Sequence, residues 1–421
     1  MRRPSALTAV VLTVALGVGL GGCVLGASEP APPAEIVVTE LDGPFAPLGI
    51  QFTGLPAGEL VTLTSTAELP AAWYSSEAEF RVGDDGTVDL AAVAPESGDW
   101  AGADSMAPFW SMHGTRTARW DIWDEAFDVE LTVRDAAGEE LAQTVVTRPG
   151  TAPGVAVSEV NEPGIEGVFA LPSVEHADMA ADTAGAAVAP RPGVLVFTGS
   201  DGGLDGAAAT ARWVAGLGYP ALGISYFGGE GQPEALENVP VETFEAGLAW
   251  LRAQPEVDLD RVFTFGISRG GEMALWLATE HPDLVTGAIA PVGAGAVVCG
   301  YPQGIAWTRG GEALAGDCTM SVVGSPSTRL DVAAIDGPVV LACGTDDELW
   351  DSCAALDDIV DRRSATDATT LATRGEGAMH AVSWPPYLPL FFGASVTPQQ
   401  IAATRAVQQD FWRDVVSVLA E

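Results

Sequence analysis

One stretch of sequence decides the fold, Val262-Phe-Thr-Phe-Gly-Ile-Ser-Arg-Gly-Gly-Glu272. It begins as a continuous apolar run, which is typical of a buried parallel strand. A helical pattern follows from residue 272 to residue 280. Between them stands Gly-x-Ser-x-Gly, whose glycines allow a sharp turn that lifts a serine hydroxyl to the carboxyl edge of a sheet. Ser268 is therefore predicted to be a nucleophile, and the alternative is an ordinary glycine-rich turn.

Apolar strands alternate with helices on both sides of this turn. The pattern predicts further strands at residues 194–197, 287–291 and 339–343, with helices at 207–217 and 241–253. Such alternation indicates a doubly wound α/β sheet, and together with the serine turn it predicts the α/β-hydrolase fold. Short β-rich runs separated by turn residues precede it, at 48–52, 60–64, 78–82, 88–90 and 129–133. They predict a small antiparallel β-sandwich over residues 36–150, followed by a catalytic domain over 160–421.

A nucleophilic serine needs a histidine base, and in this fold an acid and then the histidine follow the serine along the chain. The sequence has four histidines. His113 falls in the predicted sandwich, His176 precedes the serine, and His281 ends the helix that the serine begins. His380 remains, in a loop containing glycine. We predict that His380 is the base, and the alternative is a surface histidine without a role.

The acid is expected after the strand at 339–343, which opens into Gly344-Thr-Asp-Asp347. A Gly-x-x-Asp arrangement after that strand selects Asp347 as the triad acid, and Asp346 stays open as the alternative. Both carboxylates could instead cap a helix that begins near Leu349.

An oxyanion hole needs two backbone N–H groups near the serine. One is expected from Arg269, the residue after the nucleophile. The other is expected from the loop at 198–203, with Ser200 as the first candidate and Gly199 as the second.

Composition excludes several classes of function. The chain carries 57 acidic and 19 basic residues, for a formal charge of −38, and every basic residue is arginine. A field of that sign repels nucleic acid and anionic lipid surfaces. Without lysine there is neither a pyridoxal Schiff base nor a P-loop. We expect a small-molecule substrate, no nucleic-acid partner and no cofactor.

The N-terminus has the pattern of a bacterial lipoprotein signal. Two arginines precede an apolar run from residue 6 to residue 20, which ends in Leu20-Gly-Gly-Cys23. The run is short for a membrane span and typical of a secretory signal. Its end resembles a lipobox, so residues 1–22 are predicted to be removed and Cys23 to be lipidated; the alternative is an ordinary signal peptide. Residues 23–35 form a Pro-rich spacer, and the protein is expected outside the cell, held to the membrane by the lipid alone.

Four further cysteines are Cys299, Cys318, Cys343 and Cys353. An even number in an exported chain predicts disulfides. Three pairings are possible, and proximity favours Cys299–Cys318 and Cys343–Cys353, each closing a loop that stabilises by about 2–3 kcal/mol. Zinc binding is the alternative, but the Cys-x2-Cys spacing of zinc sites does not occur, so no metal is expected.

These motifs together resemble the acyl-CoA thioesterase and bile acid-CoA:amino acid N-acyltransferase family. The resemblance includes Trp73-Tyr-Ser-Ser-Glu-Ala-Glu-Phe-Arg-Val82 and Met106-Ala-Pro-Phe-Trp-Ser-Met112 in the first domain. In the second domain it includes the serine turn, Gly344-Thr-Asp-Asp347 and His380-Ala-Val-Ser-Trp-Pro-Pro. It implies an immunoglobulin-like first domain and a hydrolase second domain.

The resemblance also implies a function. Members with serine at the turn are thioesterases and members with cysteine are acyltransferases, so Ser268 favours hydrolysis of acyl esters or thioesters. An acyltransferase and a non-catalytic surface binding module are the alternatives. The segment 384–392, rich in aromatic residues and proline, could line an acyl pocket or pack in the core. The predicted export and the negative charge of this chain depart from the resemblance, because acyl-CoA is an anionic compound of the cytoplasm.

Overall fold

The computed structural model describes residues 32–69, 72–114, 126–173, 189–302, 304–315, 318–389 and 395–421. The predicted signal, Cys23, most of the spacer, His176 and residues 390–392 lie outside these ranges. In the described ranges, none of the helices combines the length and the apolar character needed to span a bilayer.

The first domain contains two antiparallel β-sheets. Its elements are β1 (Glu35–Glu40), β2 (Leu48–Thr53), β3 (Leu60–Leu69), β4 (Ala72–Arg81), β5 (Val88–Asp89), β6 (Ser97–Gly98), α1 (Ala107–Trp110), β7 (His113–Gly114), β8 (Phe127–Asp135) and β9 (Glu140–Arg148). One sheet has the order β1-β2-β5, and the other has the order β6-β4-β3-β8-β9 with β7 beside β4. Phe52 and Phe80 meet edge-to-face between the sheets, with ring centroids 6.1 Å apart. The two inner faces form a sandwich, as the short alternating runs predict.

The second domain is built on an eight-stranded sheet. Its strands are β10 (Ala156–Glu162), β11 (Ile165–Leu171), β12 (Arg191–Phe197), β13 (Ala221–Ser225), β15 (Val257–Gly266), β16 (Gly287–Ile289), β19 (Val339–Gly344) and β20 (Thr370–Gly375). Their order is β10-β11-β13-β12-β15-β16-β19-β20. The first three are antiparallel neighbours and the rest are parallel. This is the α/β-hydrolase fold, so the predicted fold class is confirmed.

Helices cover both faces of this sheet. They are α2 (Asp205–Gly216), α3 (Glu242–Arg252), α4 (Arg269–Glu280), α5 (Ser352–Arg363) and α6 (Pro398–Ala420), with a 3₁₀ turn at Val332–Ala334. Alternate side chains of β12 point to opposite faces: Val194 and Val196 pack with the α2 and α6 side, whereas Leu195 and Phe197 pack with α3 and α4. A small outlying sheet contains β14 (Val239–Pro240), β17 (Trp307–Arg309) and β18 (Glu312–Ala313).

The sandwich packs against the α6 side of the large sheet. Buried residues of the sandwich and of this face form one continuous apolar cluster. Phe45 meets Trp412 of α6 edge-to-face, with ring centroids 5.0 Å apart. Asp104 forms a salt bridge of 2.5 Å with Arg405 of α6, and both side chains are at most one-fifth exposed. The first domain therefore rests on the helix behind the strand that leads to His380.

Candidate active site

Ser268 occupies a strained turn between β15 and α4. Its backbone angles are φ 57° and ψ −116°, a conformation that residues with a side chain adopt only when the surroundings impose it. The flanking glycines explain how the turn closes. A methyl group on Gly266 would lie 2.0 Å from the carbonyl oxygen of Gly270, and one on Gly270 would lie 2.5 Å from that of Thr198. The geometry is that of a nucleophile elbow.

Asp347 and His380 lie at the same edge of the sheet, beyond the carboxyl ends of the neighbouring parallel strands β19 and β20. Nδ1 of His380 is 2.9 Å from Oδ1 and 2.8 Å from Oδ2 of Asp347. A carboxylate can only accept, so Nδ1 carries the proton and Nε2 is left as the acceptor. The side chains are 14% and 2% exposed, respectively, so the pair is sheltered from water while the histidine still reaches solvent.

The carboxylate of Asp347 is also held by its own turn. Its Oδ1 accepts hydrogen bonds from the backbone N–H groups of Leu349, at 3.0 Å, and Trp350, at 3.2 Å. Burial raises the pKa of Asp347, but the hydrogen bond and charge of His380, together with the Leu349 amide, outweigh it and hold the pKa below its ordinary value. The group facing His380 is therefore an ionised carboxylate.

Asp346 points elsewhere. Its side chain is exposed and accepts a hydrogen bond of 3.1 Å from Nε2 of Gln400. The helix expected near Leu349 begins instead at Ser352, with Asp351 as its N-cap accepting from the amide of Ala354. The alternative in which these carboxylates cap the helix is therefore wrong, because Asp347 instead closes a turn with the amides of Leu349 and Trp350.

The topology of the sheet places Ser268 at the same edge as this pair. It follows β15, while Asp347 and His380 follow β19 and β20, and these parallel strands bring their carboxyl ends to one edge. Among the described residues, no hydrogen bond joins the Ser268 hydroxyl to His380. Such bonds are often long in unliganded hydrolases and shorten when substrate binds.

Two backbone segments border the serine where an oxyanion would sit. Arg269 is the first residue of α4, and the first N–H groups of a helix have no partner within it. On the other side, a methyl group on Gly199 would lie 3.0 Å from Cβ of Ser268, so this backbone packs directly against the serine. Ser200 is exposed and comes next in the same turn. The hydroxyl oxygen of Tyr226 lies 2.7 Å from the carbonyl oxygens of both Thr198 and Gly199, which fixes the turn.

The sequence does not predict the buried ion pair between Arg269 and Glu272, which lies directly after the serine. Glu272 is fully buried and accepts hydrogen bonds from Arg269 Nε at 3.1 Å, the Val298 amide at 2.9 Å and Trp307 Nε1 at 2.7 Å. Burial raises its pKa, although the charge of Arg269 opposes this. The other guanidinium nitrogens of Arg269 donate to the carbonyls of Cys299 and Val298. From the sequence alone, Arg269 and Glu272 are indistinguishable from an exposed salt bridge between residues three apart on a helix.

The cysteines are joined in the two pairs that proximity favours, Cys299–Cys318 and Cys343–Cys353. The first closes the loop whose start is bound by Arg269. The second joins β19 to α5, on either side of the turn that carries Asp347. Both bridges therefore lie next to segments that shape the site.

The described part of the predicted acyl-pocket segment, residues 384–389, packs into the protein. Leu388 is buried, and Trp384 and Tyr387 pack against the same apolar cluster. Trp412 of α6 donates from Nε1 to the carbonyls of Ser383 and Trp384. These residues pack in the core, as the alternative interpretation holds.

Comparison with known proteins places these features in a family context. Residues 46–162 match the acyl-CoA thioester hydrolase/BAAT N-terminal region, and residues 209–375 match the prolyl oligopeptidase family. The chain is 27% identical to acyl-coenzyme A thioesterase 1 of Mus musculus over 86% of its own length and 91% of that protein. It is 25% identical to acyl-coenzyme A amino acid N-acyltransferase 1 of Mus musculus, over 91% of this chain and 95% of that one.

Solved structures also resemble the chain. A dienelactone hydrolase-like promiscuous phosphotriesterase from metagenomic libraries has a TM-score of 0.38 at 20% identity, covering 63% of this chain and 98% of that one. A bacterial heroin esterase has a TM-score of 0.40 at 16% identity, covering 63% and 84%.

Proposed function

We propose that this chain, which resembles the acyl-CoA thioesterase and bile acid-CoA:amino acid N-acyltransferase family over most of its length, is a serine hydrolase of acyl esters or thioesters. Ser268 is the nucleophile, His380 the general base and Asp347 the acid. One observation supports the proposal above all: the buried carboxylate of Asp347 holds Nδ1 of His380, at the sheet edge where Ser268 is held in a nucleophile elbow.

The proposed reaction follows from that geometry. Nε2 of His380 takes the proton of the Ser268 hydroxyl as Oγ attacks the acyl carbonyl carbon. The oxyanion is stabilised by the N–H of Arg269 and by the loop that contains Gly199 and Ser200. His380 then protonates the leaving alcohol or thiol, which departs and leaves an acyl-serine ester. Finally it activates the water that releases the acid and restores the serine.

Hydrolysis is favoured over transfer by the nucleophile itself. An acyl-cysteine is a thioester that an amine can intercept, whereas an acyl-serine is an oxygen ester that activated water cleaves more readily. An acyltransferase remains the alternative function, because the similar proteins include an acyl-coenzyme A amino acid N-acyltransferase. Measuring how product divides between added glycine or taurine and water distinguishes the two. Formation of amide as the main product would favour the transferase.

Removal of the nucleophile tests the function. Ser268→Ala should abolish hydrolysis of p-nitrophenyl hexanoate, because the covalent step is lost. The matched control is Ser327→Ala, a serine that is exposed in the loop at 325–328, which should keep wild-type activity. Full activity of Ser268→Ala would contradict the proposal, as would wild-type protein with no activity on any acyl ester.

We also propose that the protein is exported and anchored through a lipid on Cys23. The support is the sequence alone: the basic start, the apolar run and Leu20-Gly-Gly-Cys23. A lipid anchor would keep the catalytic domain outside the cell.

A further inference from the structure

We infer that the natural substrate carries a leaving group without negative charge, so that acyl-CoA is a poor substrate for this enzyme. The inference rests on the proposed hydrolase function and specifies its substrate class. It departs from the acyl-coenzyme A that the names of the similar proteins specify, and it follows from the charges around the site.

Carboxylates flank the site on both sides. Glu348 is exposed and accepts a hydrogen bond of 3.3 Å from the backbone N–H of His380. Asp346 is exposed in the same turn. Across the site, Asp201 is exposed directly after Ser200 in the oxyanion loop. A leaving group with a diphosphate and a further phosphate would have to approach these negative charges.

The positive charge closest to the serine in sequence is buried and engaged by groups of the protein itself. Arg269 is buried, and its three guanidinium nitrogens donate to Glu272 and to the carbonyls of Cys299 and Val298. The guanidinium is therefore held inside the protein. Arginine can bind a phosphate through two parallel hydrogen bonds, but here each guanidinium nitrogen already donates to a group of the chain itself.

Other described arginines of the catalytic domain are bound by groups of the chain itself. Arg374 pairs with Asp357, Arg405 with Asp104, and Arg329 and Arg362 with Asp358. The rest are engaged elsewhere on the domain, by carbonyls, carboxylates or neighbouring groups. With no lysine in the sequence, the described part of the site lacks a cationic cradle for a nucleotide.

The exposed surface beside His380 is instead apolar. Leu349 is 69% exposed, and the next residue, Trp350, meets the ring of His380 with centroids 6.4 Å apart. Trp350 packs with Val298 and Val322, which lie on either side of the disulfide-closed loop in sequence, and Met320, two residues before Val322, is 74% exposed. Apolar side chains between carboxylates suit an uncharged, apolar ester and offer nothing to a polyanion.

Two thioesters that differ only beyond the thiol test the inference. Hexanoyl-CoA and S-hexanoyl-N-acetylcysteamine share the acyl group, the thioester and the thiol end of the leaving group, but the second lacks the phosphates. We expect kcat/KM for the uncharged thioester to exceed that for hexanoyl-CoA by about tenfold or more at low ionic strength. The ratio should shrink as salt screens the repulsion.

Charge-neutralising variants give a second readout. Asp201→Asn and Glu348→Gln should each raise kcat/KM for hexanoyl-CoA relative to the uncharged thioester by about twofold or more, because a repulsive charge is removed. Glu139→Gln removes the same charge from an exposed turn of the sandwich and should leave the ratio unchanged.

The outcomes separate the two proposals. Equal or faster hydrolysis of hexanoyl-CoA at low salt would overturn this inference and leave the hydrolase function intact. A ratio that neither salt nor the two variants change would also overturn it, because its cause would not be charge. No turnover of either thioester or of p-nitrophenyl hexanoate would instead overturn the hydrolase function, and this inference with it.

Discussion

Asp347 and Asp346 are adjacent in sequence and have opposite surroundings. Asp347 is buried against His380, whereas Asp346 is exposed and bonded to Gln400. The sequence favours Asp347 as the acid but leaves Asp346 as an alternative. Which of two adjacent carboxylates faces the histidine depends on the conformation of the turn, which the sequence does not give. The bonds from the amides of Leu349 and Trp350 decide the direction.

These surroundings predict unequal effects of the two aspartate substitutions. Asp347→Asn should lower kcat by about 10⁴-fold, because the amide would favour the wrong imidazole tautomer. Asp346→Asn is the matched control and should cost far less. His380→Ala and Ser268→Ala should each cost roughly as much as the double variant, since the groups act as one unit. Hydrolysis rates of a short acyl ester measure all of these. A larger loss in Asp346→Asn would mean that the acid is assigned one residue too late.

The strands that sequence predicts best are those buried on both faces. β12, β15 and β19 each contain a continuous apolar run, which is how central parallel strands read. The edge strands β10 and β20 escape prediction because neither contains a continuous buried apolar run: each has a single buried residue. The Arg269–Glu272 pair escapes for a different reason: its partners Val298 and Trp307 are far away in sequence, so only the folded chain shows that it is buried.

The bridge between β19 and α5 should support both stability and catalysis. Because Cys343 and Cys353 close a loop around the Asp347 turn, replacing both with alanine should lower the free energy of unfolding by about 2–3 kcal/mol. The looser turn should also lower kcat. Urea unfolding measures the first effect, and ester hydrolysis well below the unfolding temperature measures the second. Wild-type values for both would show that the turn holds without the bridge.

At the scale of the whole molecule, the acidic chain joins a sandwich to a hydrolase domain through α6. The Asp104–Arg405 bridge and the Phe45–Trp412 contact link the first domain to the helix that packs on β20. This packing could not be predicted from the sequence, because no periodic pattern of apolar residues identifies the surface through which either domain contacts the other. A charge of −38 disfavours anionic partners.

The proposed lipid anchor is tested on the full chain. Cys23→Ala expressed in a bacterial host that lipidates exported proteins should appear in the soluble fraction, because the lipid is lost. The wild-type chain should remain with membranes and be released by detergent. Cell fractionation with an immunoblot makes the comparison. Membrane retention of Cys23→Ala equal to that of the wild type would contradict the anchor.

The most direct test of the central claim is covalent labelling of Ser268 by a fluorophosphonate. Attack by an activated Oγ on phosphorus releases fluoride and leaves a stable adduct, and peptide mass spectrometry identifies the residue that carries it. We predict stoichiometric labelling at Ser268, much slower labelling in His380→Ala, and wild-type labelling in Ser327→Ala. Absence of an adduct on the folded wild-type protein, or an adduct on another serine, would contradict the account.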